Sequence, residues 1–206
     1  EKTAAATFIA HDLETAIATL RSRVQNFNVP AWVRLALVDD EIQSDQAHLS
    51  VGFEGPAKLC ECQMEEFIAA CASGLTQTVA PDDQPGAIGA PPLFSEAAET
   101  HKAEVQLSIT LSWGRCAAFM REMKKRSAGI YIQQCLLSKA YHHAAIITLR
   151  LYSSGVRDWV EAEAREICIL AADAGGRVLE LRDLTGDRAG MHTMLPSDPL
   201  IERIRR

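Results

Sequence analysis

The feature that most constrains this chain is a repeated order of periodicities. Apolar residues recur every second position in a half-buried strand and every three to four in an amphipathic helix. Scored this way, the sequence reads strand, helix, strand, strand, helix, strand, and then the same again. In the first pass Thr7 to Ala10 forms a short strand, and Asp12 caps a helix that carries Leu13, Ile17, Leu20, Val24 and Phe27 at helical spacing. Strands at Trp32 to Val38 and Leu49 to Phe53 follow. Gly55-Pro56 then opens a helix with the stripe Cys60, Met64, Phe67, Ile68 and Cys71, which Gly74 ends before a strand at Leu75 to Val79.

The second pass begins with strict alternation from Val105 to Leu111, and a helix follows with Trp113, Cys116, Ala117, Met120 and Met123 on one face. Ile130 to Leu136 and Ala145 to Leu151 read as strands. A helix from about Val156 turns Val160, Ala164, Ile167, Cys168 and Ala171 inward, Gly175-Gly176 stops it, and Val178 to Leu181 is the last strand. Two βαββαβ passes predict an α+β fold: two ferredoxin-like units, each an antiparallel sheet with its helices on one face. Residues 1–80 are the first unit and residues 81–102 a Pro/Gly/Ala-rich linker. Four of the eight prolines (Pro81, Pro85, Pro91 and Pro92) fall in that linker, and residues 103–206 hold the second unit and a C-terminal helix. A chain of 206 residues buries about 70% of its unfolded surface, enough for a core without staples.

Composition excludes several classes of function. The net charge is -6, and Lys124, Lys125 and Arg126 are explained by the C-terminus of a helix, so no basic stripe is left to displace phosphate counterions and no nucleic-acid partner is expected. No apolar run approaches the roughly 18 residues that span a bilayer. The opening Glu-Lys-Thr-Ala has none of the layout of a secretory signal. The expectation is a soluble, cytoplasmic protein. Cys60, Cys62, Cys71, Cys116, Cys135 and Cys168 form no CxxC pair and sit beside Met and Leu, as reduced core thiols do.

Helices on one face leave the other face of each sheet to be covered or to carry polar groups. If Val33, Leu35 and Leu37 meet the helices, Trp32, Arg34 and Ala36 face away. By the same alternation Gln106, Ser108, Thr110, Thr148 and Arg150 lie on the open face of the second unit. Arg34 and Arg150 are therefore candidate ligands for an anionic substrate, since a planar guanidinium meets a carboxylate through two parallel bonds. A solvated arginine, or one paired to an acid, is the plainer alternative for each.

Several stretches together resemble one family. Residues 30–40 (PAWVRLALVDD), 49–67 (LSVGFEGPAKLCECQMEEF), 160–178 (VEAEAREICILAADAGGRV) and 195–206 (LPSDPLIERIRR) look like the C-terminal part of FAD-linked oxidases of the vanillyl-alcohol oxidase type. That family includes glycolate and D-lactate dehydrogenases and alkyl-dihydroxyacetonephosphate synthase. The resemblance spans nearly the whole chain in order, and implies the substrate-binding cap domain that lies over a flavin held mainly by a preceding domain. That preceding domain, and the family's closing Asn-Pro-Gly-Arg segment, have no counterpart here, so the expectation is a domain fragment or a cap-only protein that does not retain FAD alone.

Carried over residue by residue, the resemblance matches Arg34, within Pro30 to Leu35, to an arginine that faces the active site. His142 and His143 stand where hydroxy-acid dehydrogenases have a His-rich Gly-Asp-Gly-Asn segment, here decayed to Tyr-His-His-Ala-Ala. Either is a candidate catalytic base for a substrate hydroxyl. Adjacent residues on a strand point to opposite faces, so the pair reaches one pocket only through a bulge; a turn in solvent is the alternative. His192, between Met191 and Met194, is a weaker candidate. Where the dehydrogenases have Glu-His-Gly, residues 179–184 hold no histidine, so no metal is expected. The resemblance implies an oxidoreductase of the glycolate oxidase kind, acting on a small 2-hydroxy acid such as glycolate or lactate. Its partners would be an FAD-binding domain or subunit and possible further copies of itself. A ferredoxin-like ligand-sensing or assembly module without catalysis is the competing expectation.

Overall fold

In both halves the order of elements is the one that the periodicities predict. The computed structural model describes residues 2–26, 28–37, 45–71, 74–79, 103–127, 132–153 and 157–183. The first half contains β1 (Lys2–Ala10), α1 (Leu13–Gln25), β2 (Trp32–Leu37), β3 (Ala47–Gly55), α2 (Ala57–Cys71) and β4 (Leu75–Val79). The second contains β5 (Ala103–Ser112), α3 (Trp113–Ser127), β6 (Ile132–Ala140), β7 (Ala144–Ser153), α4 (Arg157–Asp173) and β8 (Arg177–Asp183). The strands of the first half lie in the order β4-β1-β3-β2 and those of the second in the order β8-β5-β7-β6. Both are the fourth-first-third-second order of an antiparallel ferredoxin-like sheet. Phe27, Val38, Ile130, Val156, the linker at 81–102 and the expected C-terminal helix lie outside the described residues.

Asp12 begins α1 as expected. Its Oδ1 accepts the backbone N–H of Thr15 at 2.6 Å, and its Oδ2 accepts the Thr15 hydroxyl at 2.8 Å, satisfying an otherwise orphaned donor of the first turn. Leu13, Leu20 and Val24 of α1 are buried against the same side of the sheet as Ala6, Phe8 and Ala10 of β1 and Leu49, Val51 and Phe53 of β3. From α2, Phe67 closes this core with its ring 5.8 Å from that of Phe8 and 6.0 Å from that of Phe53.

Strand β1 is longer than Thr7 to Ala10. It starts at Lys2 and pairs with β3 along its whole length, from Lys2 opposite Gly55 to Ala10 opposite Ala47. Alanines at 4, 5 and 6 carry little strand preference of their own, and the pairing with β3 overrides it. Strand β6 likewise runs on to Ala140. Its residues Leu136 and Leu137 pair with Ala36 and Leu35 of β2, so β2 has a neighbour on each side. Residues Glu1–Ser95 and Leu136–Ala145 make one compact unit, and Glu96–Cys135 with Ile146–Arg206 make the other.

The second unit buries Leu107, Ile109 and Leu111 of β5 beneath Cys116, Met120 and Met123 of α3 and Val160, Ile167 and Ala171 of α4. Phe119, outside the stripe read from sequence, is buried too and widens the apolar face of α3. Arg126 near the end of α3 donates through Nη1 to Glu163 Oε1 at 3.0 Å and Glu166 Oε2 at 3.1 Å, both on α4. The stop at Gly175-Gly176 is a Schellman turn: Gly175 has φ +73°, its N–H donates to Ala172 O at 2.8 Å, and the Gly176 N–H donates to Ala171 O at 2.8 Å.

Candidate functional site

The open face of the first unit follows from register. Residues opposite one another in an antiparallel pair point to the same side, so three rows cross β2, β3 and β1: Trp32–Gly52–Ala5, Arg34–Ser50–Thr7 and Ala36–His48–Ile9. Val33 and Leu35, between them on β2, are buried toward the helices, as the alternation predicts. In the middle row the hydroxyls of Thr7 and Ser50 are hydrogen-bonded at 3.0 Å. Continuing the Leu35–Leu137 register by one residue sets the buried Ser138 on the far side of Arg34.

Arg34 is half-buried, and its Nη2 is a buried donor without a hydrogen-bond partner. Burial lowers the pKa of its guanidinium, although the group stays charged at any physiological pH. Two residues earlier, Trp32 lays its indole across β3: a Cβ at position 52 would overlap Cε2 and Nε1 of that ring. The Trp32 Nε1 is likewise buried with no acceptor. A buried donor left unmade costs about 1–3 kcal/mol, more when charged. Two on one face of one strand mark a place that lacks an acceptor.

The other expected site residues are placed differently. Arg150 on β7 is half-buried and already engaged within the chain, as is Thr148, which is buried. His142 and His143 are both exposed and occupy the turn between β6 and β7, which the Tyr141 N–H closes by donating to Ala144 O at 2.8 Å. The rule that strand neighbours point to opposite faces therefore does not apply to them. Their rings meet edge to face with centroids 4.3 Å apart, and Nδ1 of His142 lies 3.2 Å from Nδ1 and 3.1 Å from Nε2 of His143. Arg34 and the histidine pair belong to the first unit and Arg150 to the second. His192 lies outside the described residues.

The alternation of β2 points to Arg34 but not to the partners that make its surroundings unusual. A signal for them is nevertheless present in the sequence: a glycine inside a strand, as at Gly52, marks a close approach by another group.

Thiol chemistry is not favoured at Cys71, Cys116, Cys135 and Cys168. Burial pushes Cys71 and Cys116 up to about 12 and Cys168 up to about 11, and raises Cys135 also. Among the described residues there is no group of three or more His, Cys, Asp or Glu placed to hold a metal ion. Nor does the start of α1 fit the diphosphate of a dinucleotide. Such a site needs free N–H groups, whereas there the Asp12 carboxylate already takes the Thr15 N–H. No helix of the described residues is long and apolar enough to cross a membrane.

No protein-family model matches the sequence, and no curated protein matches it. Solved structures do share its fold. Two structures of alkyldihydroxyacetonephosphate synthase align over 85% of this chain at 13% identity, with TM-scores of 0.59 and 0.60. A microcompartment protein from Desulfitobacterium hafniense DCB aligns over 90% of the chain and 96% of its own, at 12% identity and a TM-score of 0.30, too low to bear on the fold. The chain spans 40% of the length of the synthase structures, and what it has in common with them is the fold of that part.

Proposed function

We propose that this chain is the substrate-binding cap domain of an FAD-dependent oxidoreductase, and that the acid it binds is a small 2-hydroxy acid such as glycolate or lactate. Two lines support the cap-domain part of this reading. The ordered sequence resemblance is to the FAD-linked oxidase family, and the fold likeness, found without sequence similarity, is to alkyldihydroxyacetonephosphate synthase, a member of that family. The single observation that carries the substrate class is Arg34, whose buried Nη2 has no acceptor. A carboxylate supplies one, with the charge to match.

In this reading the described residues bind and orient, and FAD belongs to a companion domain or subunit. Arg34 fixes the carboxylate end of the substrate, the Ser50 and Thr7 hydroxyls line the floor beside it, and His142 or His143 takes the hydroxyl proton. Arg150 is a secondary anion contact, and a second copy of the chain a further partner. A cytoplasmic location belongs to the same reading.

The test is glycolate or lactate turnover by the complete enzyme with Arg34→Lys, which keeps the charge and loses the fork. The expected result is a loss of more than about tenfold in kcat/KM. Unchanged kinetics would remove Arg34 from the site. The competing reading, an assembly module, draws on β8, which ends the strand order of its sheet and leaves Leu179 49% exposed. Concentration-dependent self-association of the purified chain, abolished by Leu179→Lys, would favour it.

A further inference from the structure

Resting on the anion-binding reading of Arg34, we propose that Trp32 is the second donor of the same site, a hinged one. Without ligand its indole lies over Gly52; with ligand it turns to give its N–H to one carboxylate oxygen while Arg34 holds the other.

Three observations converge on this. Trp32 and Arg34 are two positions apart on β2, so their side chains leave the same face and start about 6–7 Å apart. Each buries a donor atom with no acceptor, Nε1 in one and Nη2 in the other. The indole rests on a position of β3 that has no side chain, where Gly52 provides the hollow. The resting position fits the ring well and its N–H badly. Apolar packing of the ring is set against an unmade hydrogen bond, and a small ligand can tip that balance.

The ligand class follows from the donors. Trp32 offers one N–H and Arg34 a charged fork; His48 and Ile9 extend the same face on one side, and on the other the exposed Glu54, one row beyond Gly52, is hydrogen-bonded to neither Trp32 Nε1 nor Arg34 Nη2. A monocarboxylate with two equivalent oxygens satisfies both donors at once, whereas a neutral alcohol leaves the guanidinium uncompensated. Because both donors are covered in the resting state, the ring must move for binding to occur, and binding is legible at Trp32 itself.

The experiment is a titration of the full chain, labelled with nitrogen-15, with sodium glycolate at constant ionic strength. The indole N–H signals of the three tryptophans are followed, and Trp32 is assigned by its disappearance in Trp32→Phe. Sodium chloride serves as the control anion. The expected result is a downfield shift of the Trp32 indole proton with glycolate and not with chloride, with affinity about tenfold weaker in Trp32→Phe, which keeps an aromatic ring and loses the donor. If glycolate binds, and Arg34→Met abolishes binding while the Trp32 signal stays still and Trp32→Phe binds normally, the hinged donor is overturned and the anion site at Arg34 stands. If glycolate does not bind the parent chain, both fall. Should Arg34→Met fail to fold, Arg34→Lys replaces it, with weakened binding as the sign that the guanidinium is engaged.

Discussion

The Trp32 indole lies across β3 directly over Gly52, filling the space that any side chain at position 52 would need. Gly52→Ala should therefore lift the ring off the sheet. We expect a loss of about 1–3 kcal/mol, the range for overpacking a close approach, together with a change in tryptophan emission. Thermal unfolding followed by fluorescence measures both. Unchanged emission would mean that the indole rests elsewhere.

The Asp12 carboxylate receives both the N–H and the hydroxyl of Thr15. Asp12→Ala should cost about 1 kcal/mol, and Asp12→Asn noticeably less, because the amide oxygen still accepts from the backbone. Urea denaturation midpoints at one pH give the comparison; equal losses for the two variants would contradict the capping role.

Arg126 ties α3 to α4 through Glu163 and Glu166, with Glu122 one turn back on its own helix at 3.7 Å. The cluster is partly open to solvent, so its contribution is modest. Arg126→Met should cost about 1 kcal/mol at low salt, and at about 1 M salt, where exposed charges are screened within a few ångströms, most of the difference from the parent should vanish. A difference that does not respond to salt would assign the effect to lost packing instead.

Stability should fall in alkali. Cys71, Cys116 and Cys168 ordinarily titrate near 9.0, but burial raises them to about 12, 12 and 11 in the folded chain. Above pH 9 the unfolded chain sheds these protons while the folded chain keeps them, so the unfolded state binds fewer protons and stability drops as pH rises. The drop approaches about 1.4 kcal/mol per thiol per pH unit, and ends once the folded thiols titrate too. Denaturant midpoints at pH 8 and pH 10 test this, and Cys116→Ala should make the slope shallower. At pH 8 the exposed Cys62 should react with a thiol reagent well before the buried Cys60, Cys71, Cys116 and Cys168.

Much of the architecture is legible in the sequence because its signals are local. The Asp12 cap, the Gly175-Gly176 stop and the alternation of Val105 to Leu111 each depend on a few neighbouring residues, and each appears in the structure where the sequence puts it. Strand β1 outruns its periodicity because Ala4, Ala5 and Ala6 show no alternation, and their state is settled by pairing with Phe53, Gly52 and Val51 of β3, far along the chain. The histidine pair reads by sequence as a strand-entry turn in solvent or, with a bulge, as part of a pocket, and the structure gives the turn. For the candidate site, Arg34 can be found from its place in an alternating strand. The unmet N–H of Trp32 cannot, since it depends on which way a ring lies over a neighbouring strand.

The grouping of Leu136–Ala145 with Glu1–Ser95 has a consequence for anyone who would divide the chain. The polypeptide leaves the first unit, returns to it for one hairpin tip, and leaves again. A gene cut within residues 81–102 therefore parts β2 from the strand that pairs beside it on that edge, leaving the Leu35–Ala36 backbone of the leading fragment open as a template for stray strands.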